Sequence, residues 1–143
     1  MSQENVEIVR SIWEPFKGVD VTQIDWDSEE IRGFTEQWWA PEIELRWSTT
    51  APDARVYRGR EGVIFAFREW LSPFSEYYNE PLDFIAAGDR VVVPHRQRGV
   101  GSASEVPVEV ETTWSYELRD GQIVRIDEYD TLDEALEAAG LSE

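Results

Sequence analysis

The sequence predicts an α+β domain in which helices come early and an antiparallel sheet comes late. Three observations carry this expectation. Val6, Val9, Trp13 and Phe16, and then Ile31, Phe34 and Trp38, recur at spacings of three and four, the period of helices with one buried face. Val106, Val108, Val110, Thr112, Trp114, Tyr116 and Leu118 fall on alternate positions, the period of a strand with one buried face. Asp120-Gly121 then separates that strand from a second one, about Gln122 to Asp130, and both residues tolerate positive φ, so the pair reads as a hairpin turn.

Taken in order, Ser2 is placed to cap the first helix, which Pro15 and Gly18 end near Phe16. Asp27-Ser28-Glu29-Glu30 starts a second helix, closed by Pro41. Ile43, Leu45 and Trp47 alternate with Glu42, Glu44 and Arg46, giving a half-buried strand. A polar loop from Ser48 to Arg58 leads to a third helix, Gly59 to Leu71, with Val63, Phe67, Trp70 and Leu71 inward and Pro73 as its stop. A strand of about Tyr77 to Ala86 follows, which Pro81 places at an edge or a bulge. Gly88-Asp89 is a turn, and Val91 to Gly99 the next strand, with a bulge expected at Pro94. A Gly/Ser turn at Gly99 to Ser104 leads into the final hairpin, of which one face carries Val124, Ile126, Glu128 and Asp130. Thr131 and Glu134 then form a capping box for a short helix with a Leu132, Leu136, Ala139 stripe, ended by Gly140. One domain over residues 1–143 accounts for the whole pattern.

Composition narrows the chemistry. Thirty acidic against thirteen basic residues give a net charge of -17, which argues against nucleic acid and anionic membrane surfaces as partners. The chain has no cysteine, which excludes disulfides and thiolate zinc sites, and a single histidine, His95, which excludes a multi-histidine metal site within one chain. No Walker loop, dinucleotide glycine pattern or serine-nucleophile motif occurs, so no cofactor is expected. No signal peptide or apolar run of membrane-spanning length is visible, and a cytoplasmic location is the expectation. Seven Trp, six Phe and five Tyr are enough either to fill a thick core or to line a cavity.

Several segments together carry a resemblance. Asp120-Gly-Gln-Ile-Val-Arg-Ile-Asp-Glu-Tyr-Asp followed by Glu134-Ala-Leu-Glu-Ala-Ala-Gly-Leu141 resembles the closing signature of SnoaL-like proteins. The opening Ser2-Gln-Glu-Asn-Val-Glu-Ile-Val-Arg, the Tyr57-Arg-Gly-Arg-Glu-Gly-Val63 entry to the third helix and Ala87-Gly-Asp-Arg-Val-Val-Val93 fit the same pattern. These proteins belong to the NTF2-like superfamily, with ketosteroid isomerase and polyketide cyclases as relatives. The resemblance implies a curved antiparallel sheet wrapped on three helices, a pocket at the wide end of the cone, a hydrophobic small molecule as ligand and a homodimer paired through the sheet. It leaves the reaction open, because one fold hosts many activities.

With the isomerase pattern as a guide to register, Trp13, Trp47, Gln97, Val110, Thr112, Trp114 and Ile126 face the pocket as ligand-binding candidates, and Glu128, Asp130 and His95 as acid/base candidates. A slip of one residue inverts any of these assignments. The isomerase uses a carboxylate base with an Asp and a Tyr as oxyanion donors. Trp47 and Trp114 stand at the first two positions and Ile12 or Trp13 near the third, so that activity does not carry over. Glu128 among tryptophans gains proton affinity through lost hydration. It equally fits an ion pair with Arg96 or Arg98, Asp130 a lead into the last helix, His95 a structural histidine, and each tryptophan ordinary core. Two functions follow. One is a cofactor-independent isomerase, cyclase or dehydratase acting on a hydrophobic cyclic substrate, and the other a non-catalytic ligand-binding or dimerisation module.

Overall fold

The computed structural model describes residues 2–47 and 55–140 of the chain, Ser2 by its backbone only. The elements run α1 (Ser2–Trp13), α2 (Glu29–Trp38), β1 (Trp39–Arg46), β2 (Val56–Arg58), α3 (Gly59–Leu71), β3 (Phe74–Pro81), β4 (Ile85–Ala87), β5 (Arg90–Gly101), β6 (Pro107–Arg119), β7 (Gln122–Tyr129) and α4 (Leu132–Ala138). Two 3-10 turns, Glu14–Phe16 and Val21–Gln23, join α1 to α2. The cap expected of the Ser2 side chain and the loop over residues 48–54 lie outside the described residues. No helix among the described residues is long and apolar enough to cross a membrane.

One seven-stranded sheet, in the order β2-β1-β7-β6-β5-β3 with β4 also on β5, forms the wall against which α1, α2 and α3 pack. The fold is the expected NTF2-like α+β cone, with one departure: β1 pairs with β7 in parallel, whereas the neighbours around it are antiparallel. A helix separates β1 from the rest of the sheet in sequence, so hairpin logic does not reach this pairing. The core lies between the helices and the inner face: Ile43 and Leu45 of β1, Val91 and Val93 of β5, and Ile123 and Ile126 of β7 are all buried there. The outer face is covered in part by α4, whose Ala135 packs on Val92 and Ala87.

Local signals account for the element ends. Ser28 accepts from the Ile31 N–H at 3.2 Å and starts α2. That helix stops at Trp38, earlier than Pro41 suggests, and Trp39 opens the strand that contains Pro41. Gln122 Nε2 donates to the Glu36 and Gln37 carbonyls, and Arg60 to that of Trp39, so the carbonyls at this helix end find partners. The Thr131–Glu134 capping box forms as the sequence requires.

Three strand expectations are corrected. The single strand over Tyr77 to Ala86 is two, because Pro81 ends β3 and β4 rejoins β5 further along. Pro94 makes no bulge: Val93, Pro94 and His95 pair in unbroken register with Trp114, Thr113 and Thr112. Its carbonyl accepts from Leu82 N at 2.8 Å, and its nitrogen points to the same edge, into the gap between β3 and β4 where no donor is required. A bulge occurs instead in β7. Leu118 pairs with Ile123 but Glu117 with Arg125, so Val124 is the extra residue and Ile123 joins Ile126 and Glu128 on the inner face.

On the outer face the ladder aligns charges in rows. Arg90, Glu117, Arg125, Glu44 and Arg58 stand opposite one another across five strands, alternating in sign. Arg96 similarly meets Glu80, Glu109 and Glu111. The buried Asp127 is held by Arg125 at 2.9 Å and Arg90 at 3.5 Å.

Candidate functional site

Where the helices meet the inner face of the sheet, they leave a cavity of about 90 Å³. About half of the residues that line it are aromatic, among them Trp13 at the end of α1, Phe16 beyond it, Phe34 of α2, Trp47 just after β1, and Phe67 and Trp70 of α3, and most of the others are aliphatic. Trp114 of β6 is the centre of this cluster. Its ring lies 5.8 Å from that of Trp13, 5.7 Å from Trp47, 6.0 Å from Phe67 and 4.6 Å from the His95 imidazole, between centroids. Among the described residues every lining side chain is uncharged; the polar ones are Thr35, Tyr77, Asn79, Gln97 and Tyr116.

The period of two explains who arrives here. Val93, His95, Gln97 and Gly99 alternate along β5 and face inward, as do Trp114 and Tyr116 along β6 and Ile126 and Glu128 along β7. Gly99 is a glycine for want of space, since a Cβ there meets Tyr77 Cδ2 at 2.6 Å and Phe74 Cδ1 at 3.0 Å. The missing side chain lets the Tyr77 ring lie over the strand and reach Gln97.

The polar wall is a set of buried hydrogen bonds. Tyr77 donates its hydroxyl to Gln97 Oε1 at 2.7 Å, and Gln97 Nε2 donates to Thr112 Oγ1 at 2.6 Å. Trp13 Nε1 donates to the Tyr116 hydroxyl at 3.0 Å. That hydroxyl lies 3.4 Å from His95 Nε2, while His95 Nδ1 lies 2.7 Å from Asn79 Oδ1. Trp114 Nε1 donates to Glu128 Oε2 at 3.2 Å.

Burial sets the protonation of these groups. His95, with no exposed surface, has its pKa lowered to about 3 by lost hydration, so the ring is neutral near pH 7. Burial pushes the Tyr116 hydroxyl well above its ordinary value, against the Trp13 hydrogen bond. Tyr77 is pushed up to about 12, chiefly by burial and further by the negative charge of Glu128, with a hydrogen bond from Trp70 opposing. Both phenols therefore act as neutral donors or acceptors rather than as bases.

The sequence-derived candidates divide accordingly. Trp13, Trp47, Gln97, Trp114 and Ile126 line the cavity. His95 and Thr112 do not line it but hold side chains that do, Asn79 and Gln97. Glu128 is buried on the inner face and bonded to Trp114, which lines the cavity while Glu128 does not. Two placements are corrected. Asp130 is exposed, because β7 ends at Tyr129 and the chain bends away toward α4. Val110 has the inward parity yet is 43% exposed, because β6 continues past the part of the sheet that the helices roof.

Tyr77, Asn79 and Tyr116 were not among those candidates. Tyr116 was within reach of sequence, since it continues the alternation of Thr112 and Trp114. Tyr77 and Asn79 were not, because the register of β3 follows from its pairing with β5 (Tyr77 opposite Gly99, Asn79 opposite Gln97) and not from any alternation of its own.

Known proteins place this geometry in context. The SnoaL-like domain profile matches residues 25–126. No curated protein sequence matches the chain significantly. Among solved structures, a candidate SnoaL-like polyketide cyclase from Jannaschia sp. CCS1 is similar with a TM-score of 0.72 at 19% identity, over 99% of this chain and 95% of that one. A protein with a ketosteroid isomerase-like fold from Catenulispora acidiphila DSM 44928, in complex with trimethylamine, has a TM-score of 0.64 at 17% identity, over 94% and 93%. TerC, co-crystallised with polyporic acid, has a TM-score of 0.65 at 19% identity, over 95% and 98%. At such identities the likeness establishes the shared fold.

Proposed function

Because the chain belongs to the SnoaL-like domain family, we propose that its cone is a binding site for a small, uncharged ring compound. The observation that carries this reading is the cavity wall, which is aromatic and aliphatic, carries a few amide and hydroxyl groups and, among the described residues, includes no charged side chain. An anion entering such a wall loses its hydration and gains no counter-charge. The volume of about 90 Å³ is below that of a dry cavity of about 150 Å³ known to take benzene. A single ring therefore enters with small shifts of the half-buried Trp13, Phe16 or Trp70 side chains, and a fused polycycle needs far larger ones.

Thermal unfolding with a panel of monocyclic neutral compounds tests the reading, because selective binding to the folded state raises the midpoint with concentration. Neutral single-ring compounds are expected to raise it, and their carboxylate analogues not. A panel in which no neutral ring shifts the midpoint removes the proposal.

A second reading, proton transfer on the bound ring, is favoured by one observation: Glu128 is a buried carboxylate on the inner face, hydrogen-bonded to the cavity-lining Trp114. If Trp114 turns aside, the Glu128 carboxylate takes a proton from the carbon next to a ligand carbonyl and returns it elsewhere on the conjugated system, as an isomerase or cyclase requires. In D₂O the same step exchanges that proton for deuterium. Exchange in the wild type that falls by about 100-fold in Glu128→Gln supports catalysis. Binding without exchange leaves a binding protein.

Pairing of two copies through the outer face of the sheet completes the proposal. The alternating charge rows from Arg90 to Arg58 offer self-complementary contacts under a two-fold axis. Sedimentation velocity is expected to find a dimer at low salt that weakens at high salt, and a monomer under both conditions refutes it.

A further inference from the structure

We propose that Asn79 is the residue that recognises the ligand, its side-chain NH₂ donating to the carbonyl oxygen of an uncharged single-ring compound. The inference rests on the cavity reading above and gives it a ligand class.

The argument follows protons along a chain of buried groups. Trp13 Nε1 can only donate, so at 3.0 Å it makes the Tyr116 oxygen an acceptor. The Tyr116 hydrogen then needs an acceptor of its own, and His95 Nε2 stands 3.4 Å away. A neutral imidazole has one donor and one acceptor nitrogen. With Nε2 accepting, Nδ1 carries the hydrogen and donates to Asn79 Oδ1 at 2.7 Å. His95 is fully buried against the Trp13 and Trp114 rings, which holds this direction in place. The carbonyl end of the Asn79 amide is thereby committed, and its NH₂ end is turned away from His95.

That NH₂ has no protein partner among the described residues, and Asn79 lines the cavity. The neighbouring polar groups are engaged with one another: Tyr77 with Gln97, Gln97 with Thr112, and Thr35 Oγ1 with the Arg32 carbonyl at 3.0 Å. Gln97 stands directly opposite Asn79 across β3 and β5, and its second N–H lies on the same wall. The wall thus offers amide donors with no cation beside them among the described residues. Its complement is a neutral acceptor on an apolar ring, such as a cyclic ketone or an aryl ketone. A carboxylate finds donors there but no counter-charge.

Acetophenone, α-methylstyrene and benzoate form a matched set, equal in shape and differing in the acceptor and its charge. Titrated against the intact protein by calorimetry, acetophenone is expected to bind about tenfold more tightly than α-methylstyrene, the worth of one hydrogen bond, with benzoate weakest. Asn79→Leu is expected to erase the preference for acetophenone while leaving α-methylstyrene within about twofold. Asn79→Val, which also lacks the donor and suits a strand, does the same should the leucine variant fold poorly. Equal binding of acetophenone and α-methylstyrene by the wild type, or a preference that survives both variants, overturns the role of Asn79 and leaves the cavity reading intact. Failure of all three compounds to bind overturns both. The relay has a readout that needs no ligand. His95 is the single histidine of the chain, so its ring nitrogens give one set of ¹⁵N signals, expected in the Nδ1–H tautomer; the Nε2–H tautomer overturns the relay.

Discussion

Replacing Trp114 with alanine is expected to destabilise the protein by about 3–5 kcal/mol, the largest effect of any single substitution considered. Trp114 is 4% exposed and its ring meets those of Trp13, Trp47, Phe67, His95 and Tyr116. Its removal opens a void at the meeting point of α1, β1, α3, β5 and β6, and neighbours held by their own backbones collapse into it only in part. Trp114→Phe separates packing from hydrogen bonding. It keeps most of the aromatic contact but takes one donor from the buried Glu128, which is expected to cost about 1–2 kcal/mol. Urea denaturation of the three proteins measures both. A loss below about 1 kcal/mol for the alanine variant would mean that the cluster is loosely packed and that Trp114 is not its centre.

Acidification from pH 7 to 5 is expected to cost about 2 kcal/mol of stability through His95 alone. The ring titrates near 6.5 when unfolded and only near 3 when folded, because burial disfavours the charged form. Above pH 6.5 neither state is protonated and the contribution is complete. As the pH falls below 6.5 the unfolded chain takes up a proton that the folded chain refuses, and stability declines until the folded value near 3 is reached. The chain has no second histidine, so comparison with a variant lacking His95 separates its titration from that of every other group. Urea midpoints at pH 7, 6 and 5 give the slope, and His95→Gln supplies the control, expected to be nearly flat. A variant that loses stability with the same slope as the wild type places the titration elsewhere.

The two expectations draw on different depths of reading. That Trp114 shares a face with Tyr116, and His95 with Gln97, follows from sequence because a strand repeats every two residues, and the family resemblance supplied the register that turns both pairs inward. The capping box of α4 is equally local, a contact between residues three apart. Such features need only the chain's own geometry, and the sequence determined them.

Tertiary structure decided the rest, and for one physical reason: each depends on which distant segment lies alongside. The bulge at Val124 arises from pairing β7 with β6 and carries Ile123 to the inner face. Pro94 escapes a bulge because β3 and β4 leave its nitrogen a gap. Val110 and Asp130 are solvent-exposed because the helical roof ends before one and β7 before the other, although their parity pointed inward. Asn79 meets with its amide oxygen a histidine sixteen residues along the chain, at the end of a contact series that starts 103 residues from Tyr116 at Trp13. Alternation tells which way a side chain points; only the assembled neighbours decide whether it meets a cavity, a partner or water.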